Sequence, residues 1–222
     1  MAYTNPMGRA DTIENDTTSG REAPKDVAVV VIDNPPNGVL TPGVRASLLK
    51  QLKAAGENPD LQAVVIAGRD GAFAVGTGID ADTALANAPG APSLGDLCDT
   101  IEAMEKPVVA AISGAALGNG LELALAAHVR VAAPGARLGA PEITIGIVPG
   151  AGGTQRLPKV IGGLAALKML LSGRAVNGTS ALKLGLVDRL AEDDVLRAAI
   201  EEARARAETG EALPRSSQRR DR

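Results

Sequence analysis

Two glutamates stand where a carboxylate is poorly hydrated. Glu122 lies in the apolar run LELALAA, and Glu142 follows Pro141 in GAPEITIGIVPG, an aliphatic stretch bounded by glycines. Such surroundings favour the neutral carboxyl and bring it into the range where protons are given or taken near neutral pH. Two such groups can divide proton donation from proton acceptance. A plain structural role stays open to both: Glu122 can offset the dipole at a helix start, and Glu142 can cap a turn. Glycine-rich turns accompany them at Gly68–Asp80, Gly118–Gly120 and Gly146–Gly153. Glycine lets a backbone approach a ligand closely, and N–H groups at a helix start present donors at the positive end of a dipole. Two such donors converging on one oxygen make an oxyanion hole.

Other chemistries fit less well. His128 is the only histidine, with no second metal ligand at ligand spacing, and reads as structural. Cys98 is the only cysteine; it cannot form a disulfide within the chain and reads as a packed thiol. Ser113 has no histidine within local reach. Neither GNGLEL nor GAGGTQRL matches a dinucleotide fingerprint or a phosphate-binding loop. Tyr3 and Phe73 are the only aromatics, too few for a base-stacking platform. Net charge is −3, while the last nine residues, PRSSQRRDR, carry four arginines against Asp221. The body is therefore more acidic than the whole, which speaks against a polyanion partner. Residues 214–222 read as a solvated basic tail. No apolar run reaches the roughly 18 residues of a membrane span. The polar, charged N-terminus is no signal peptide. The expectation is a soluble cytoplasmic protein with neither nucleic acid nor membrane as partner.

The elements that must position the glutamates alternate between strands and helices, an α/β pattern. Residues 1–24 are polar and aperiodic and read as a disordered leader. Buried strands are predicted at Val27–Ile32, Ala63–Ala67, Pro107–Ser113, Val129–Ala133 and Val187–Leu190. Helices are predicted over Thr41–Ala55, with Thr41 as cap and Pro42 at the first position, and from Ser93 through Met104. A further helix covers Leu121–Ala127, shorter ones run to Leu171, and a charged one spans about Asp193–Thr209. Residues 83–92 read as a mobile loop. The domain division is 1–24, 25–190, 191–213 for the C-terminal helix, and 214–222.

With these elements in place, the segment KPVVAAISGAALGNGLELALAAHVRVAAPGARLGAPEITIGIVPGAGGTQRLP (Lys106–Pro158) resembles the signature region of the enoyl-CoA hydratase/isomerase (crotonase) superfamily. GAFAVGTGID (Gly71–Asp80) is similar to that family's first oxyanion-hole loop. The similarity runs from about Val27 to Leu190. PSLGDLCDTIEAMEKPVVAAISG and the ending LPRSSQRRDR are similar to the hydratase domain that begins multifunctional β-oxidation enzymes.

The resemblance implies a crotonase-like spiral of repeated ββα units with a short C-terminal helical segment. It also implies homotrimers or dimers of trimers, and an acyl-CoA thioester as substrate. Glu122 and Glu142 match the two catalytic glutamates. Thr77 and Asn119 match the oxyanion-hole amides, with Val75, Gly76, Gly78 and Gly118 beside them against the substrate. Gly150 matches the glycine at a helix start near the catalytic water. The implied activity is hydration of a trans-2-enoyl-CoA or the reverse, needing no metal or redox cofactor, with coenzyme A part of the substrate. A Δ3,Δ2-enoyl-CoA isomerase and a catalytically weak acyl-CoA-binding protein are the alternatives. The chain departs from the family pattern at Thr77, Gly78 and Asn119, lacks the lysine often found near Ala81 and Asp82, and is shorter at its end than stand-alone hydratases.

Overall fold

Continuous aliphatic runs become parallel strands in the computed structural model, which describes residues 25–34, 38–69, 71–76 and 90–218. β1 (Val27–Ile32), β2 (Ala63–Gly68), β4 (Val108–Ile112), β6 (Val129–Ala132) and β9 (Arg189–Leu190) join in that order into a parallel sheet. β3 (Ala74–Val75), β5 (Ala115–Leu117), β7 (Arg137–Gly139) and β8 (Val176–Asn177) form a second sheet in that order, with β8 alone antiparallel. Both faces of the larger sheet are covered, as parallel sheets require. Successive residues alternate between them: Val64, Ile66, Ala110 and Ile112 enter the main core, whereas Val65, Val109, Ala111 and Val131 pack beneath the last helix.

The connections repeat. A strand in the large sheet leads to a short strand in the small sheet and then to a helix. β2–β3 precedes α2 (Leu94–Ala103), and β4–β5 precedes α3 (Asn119–Ala126). β6–β7 precedes a 3-10 turn (Glu142–Ile145), α4 (Gly153–Ile161) and α5 (Gly163–Ser172). β1 is followed by Val39, which bridges Val75 of the small sheet, and then by α1 (Pro42–Glu57). This is the spiral of ββα units that the resemblance implies. α6 (Gly178–Leu184) and α7 (Val195–Thr209) complete the described chain, with a final 3-10 turn at Ser216–Gln218.

The predicted helix starts follow from capping. Thr41 Oγ1 accepts from the Val44 N–H at 3.4 Å, with Pro42 opening α1. Ser93 and Asp96 form a reciprocal capping box at α2. The solvated terminus expected for 214–222 needs correcting. Ser216 is buried, and its Oγ donates to the Leu125 carbonyl at 2.8 Å, because the 3-10 turn brings it under α3. The expected leader, most of the predicted 83–92 loop and residues 219–222 lie outside the described residues. Among the described residues no helix is long and apolar enough to cross a membrane.

Candidate active site

Helix α3 carries Glu122, and glycines decide how it is presented. Gly118 leaves β5 with φ +56°, which turns the chain into the helix at little steric cost only for glycine. A side chain at Gly120 would collide with the Ala74 carbonyl, so its absence lets the first turn of α3 sit against β3. Glu122 is only 2% exposed. Its Oε1 accepts from two backbone donors, Ala151 N–H at 2.7 Å and Gly153 N–H at 2.8 Å. Its Oε2 is buried with no hydrogen-bond partner among the described residues.

Glu142 opens the 3-10 turn after Pro141 and is 7% exposed. Neither of its carboxylate oxygens has a hydrogen-bond partner among the described residues. A Cβ built on Gly118 would lie 3.2 Å from Glu142 Oε1, so the glycine that starts α3 also makes room for the second carboxylate. The two acids differ in what holds them. Burial pushes Glu122 above the ordinary carboxylate range, and the Gly153 and Ala151 amides, with the Arg156 charge, draw it part of the way back. Burial raises Glu142 as well, and the nearby Glu122 charge adds to the rise. Its own amide offsets part of this without meeting hydrogen-bond geometry.

Glu142 faces a cavity of about 530 Å³. Val75, Gly76, Gly118, Asn119, Glu142 and Gly150 line it, together with the apolar Ile145, Ile147 and Val148. Glu122 is not on the wall itself; its Oε1 is held by the amide of the wall residue Ala151. Asn119 opens α3, so its N–H has no intrahelical acceptor. A Cβ on Gly76 would lie 3.4 Å from that nitrogen, which places the first loop beside it. Thr77 and Gly78 lie outside the described residues.

One placement differs from the expectation. Gly150 lines the cavity but does not start the helix; Gly152, with φ +95°, is the cap and Gly153 the first residue. The donors to Glu122 come from Ala151 and Gly153, which the sequence reading did not single out. The glycine turn there spends these amides on a side chain of its own chain rather than offering them to a ligand. Arg156 was missed as well: its guanidinium bonds the Ala151 carbonyl and the carboxylates of Asp99 and Glu102. A GG pair before a helix was the visible signal for the turn, but nothing local links Glu102 to a residue 54 positions away.

Of the side chains set aside in the sequence, His128 and Cys98 are structural. His128 Nδ1 accepts from the Val108 N–H at 2.9 Å, and Nε2 faces the Glu102 carbonyl at 3.3 Å, which makes Nε2 the protonated nitrogen. Burial lowers its pKa. Cys98 is fully buried, and burial pushes its thiol far up, away from a reactive thiolate.

The family model described as enoyl-CoA hydratase/isomerase matches residues 22–216. A protein named peroxisomal bifunctional enzyme from Danio rerio is 48% identical over 177 residues, which are 80% of this chain and 24% of that protein. One named probable enoyl-CoA hydratase from Bacillus subtilis (strain 168) is 40% identical over 82% of this chain and 71% of its own length. The chain thus spans about a quarter of the length of the bifunctional relative. Among solved structures, an enoyl-CoA hydratase from Mycobacterium tuberculosis H37Rv superposes with a TM-score of 0.75 at 31% identity, covering 83% of this chain and 73% of that one. The enoyl-CoA hydratase from Bacillus anthracis gives 0.72 at 29% identity, covering 86% and 74%.

Proposed function

Because the chain belongs to the enoyl-CoA hydratase/isomerase family, we propose that it adds water across the C2=C3 bond of a trans-2-enoyl-CoA, or removes it in reverse, as a step of fatty-acid β-oxidation. The observation that carries this reading is a pair of buried carboxylates held differently: Glu142 on the cavity wall, with no hydrogen-bond partner among the described residues, and Glu122 gripped by the amides of the wall residue Ala151 and of Gly153. Glu122, gripped by two N–H groups, is the easier to ionise and takes a proton from water as the water oxygen bonds to C3. Glu142, with no hydrogen-bond partner among the described residues and a negative neighbour, holds its proton longer and delivers it to C2. Solvent takes the proton from Glu122 and returns one to Glu142, so the net change is one water added.

Between these steps the thioester oxygen gains enolate charge. The Asn119 amide at the cavity is one donor to that charge, and the family pattern assigns the Thr77 amide as the second donor of the oxyanion hole. Coenzyme A enters as part of the substrate, and these steps call on no further cofactor. A homotrimer is part of the same reading. Leu164, Leu167 and Leu171 share one face of α5 at 52–68% exposure, an apolar stripe suited to a second copy.

Turnover of short- and medium-chain trans-2-enoyl-CoA tests the function, read as loss of the conjugated absorbance and gain of a 3-hydroxyacyl product by mass. Hydration of either chain is the expected outcome. Isomerisation of a 3-enoyl-CoA without hydration, or tight acyl-CoA binding with no turnover, would overturn it.

A further inference from the structure

Behind Glu122 lies a layer of polar contacts that the proton chemistry does not touch. Ala151 is held at both ends: its N–H donates to Glu122 Oε1 at 2.7 Å, and its carbonyl accepts from Arg156 Nη1 at 2.9 Å. Gly152, between the two gripping amides, has φ +95°, and a side chain there would collide with the Arg156 guanidinium. The arginine therefore fills the hollow of the turn that holds Glu122.

Arg156 is fixed on its far edge. Nε and Nη2 donate to Glu102 Oε2 at 3.1 and 3.0 Å, and Nη2 also donates to Asp99 Oδ1 at 2.8 Å. Glu102 Oε1 in turn accepts the Ser217 N–H at 2.6 Å. Arg156 and Glu102 are each only 6% exposed. A buried ion pair is weak evidence for stability, because desolvation offsets much of the attraction. Geometry gives this one another use, since the fork that Glu102 fixes ends on the loop that holds Glu122.

We propose that Arg156, clamped by Glu102, is a positioning residue for Glu122, fixing the Ala151 and Gly153 amides that hold one of its carboxylate oxygens. The inference rests on the role given to Glu122 above. Arg156→Lys keeps the charge but loses the planar fork, so it separates position from electrostatics. With the amides out of register, Glu122 is harder to ionise and no longer fixed in place.

Two readouts decide the matter. In steady-state kinetics, Arg156→Lys lowers kcat by about tenfold or more with KM within about twofold. In a Glu122→Gln background the same change adds less than about twofold, because the group it acts through is gone. In carbon-13 titration of labelled glutamate side chains, Glu122 in Arg156→Lys titrates at higher pH than in the unmodified protein. An equal fall of kcat in both backgrounds, or an unmoved Glu122 titration in the folded variant, would overturn the proposal. Should Arg156→Lys fail to fold, Glu102→Gln carries the same comparison with the arginine intact. The titration needs no substrate, so an unmodified protein that hydrates no enoyl-CoA refutes the functional reading while the clamp is still decided.

Discussion

Glu142 is expensive to keep. It is 7% exposed and neither oxygen is hydrogen-bonded among the described residues, so its ionised form is poorly compensated in the folded protein. Its folded pKa is raised, by burial first and then by the Glu122 charge. A raised pKa means that the folded state binds the proton more tightly than the unfolded chain does. That contribution is fully present below the unfolded value, near pH 4.3, and is lost as pH rises through the folded value. Replacing the group by its neutral amide should therefore stabilise the protein at neutral pH. Glu142→Gln is expected to raise Tm at pH 7 by about 2–4 °C, as about 1 kcal/mol gives in a domain of this size. The gain should vanish below about pH 4, where the carboxyl is protonated in both states. Calorimetry at the two pH values checks it, and a lowered Tm at pH 7 would refute it. Both glutamates were legible in the sequence, because a carboxylate in an aliphatic run is conspicuous. The inequality between them was not. It depends on two amides that lie 29 and 31 residues from Glu122 along the chain.

At the scale of elements, the site depends on how closely two turns approach two helices. Gly120 illustrates it: a Cβ there would meet the backbone of Ala74, which cannot yield without moving β3 from α3. Gly120→Ala should cost about 3 kcal/mol in denaturant unfolding. Gly43, in the first turn of α1, has no heavy atom within 4 Å of a built Cβ. Gly43→Ala should be neutral or stabilise by up to about 1 kcal/mol. Equal effects at the two positions would contradict this account of the packing. Long strands and capped helices were readable from composition and spacing, as at Val27–Ile32, Ala63–Gly68 and the Ser93 cap. The small sheet was not. Ala74–Val75, Ala115–Leu117 and Arg137–Gly139 are too short to carry an alternating pattern, and tertiary pairing alone makes them strands. The ββα repeat, which the family resemblance implies, shows no fixed period in the sequence itself for the same reason: its short strands leave no local signature.

For the whole molecule, pairing within the small sheet sets β3 beside β5 and β5 beside β7, and the turn after β7 brings Glu142 to the same cavity as the ends of β3 and β5. The turn that bears Glu142 also packs against the end of α5. A Cβ at Gly173, just beyond that helix, would lie 2.8 Å from the Thr144 side chain and 3.0 Å from that of Ile143. The exposed leucines of α5 and the exposed Ile143 therefore belong to neighbouring elements. If this stripe forms the proposed trimer contact, Leu167→Asp should shift sedimentation of the purified chain from trimer towards monomer. A wild-type chain that stays monomeric at micromolar concentration would contradict the contact. Assembly of this kind has no signal in the apolar spacing of α5 alone, because a stripe facing a second copy and one facing the chain's own core read alike.

In the proposed hydration two carboxylates divide the proton traffic, Glu122 at water and Glu142 at C2. The most direct measurement is the rate of trans-2-enoyl-CoA hydration by a folded Glu142→Gln variant beside the unmodified protein. A positioned proton donor is worth about 10²–10⁴ in rate, so kcat should fall by that factor. Retention of full hydration activity in Glu142→Gln would contradict the account.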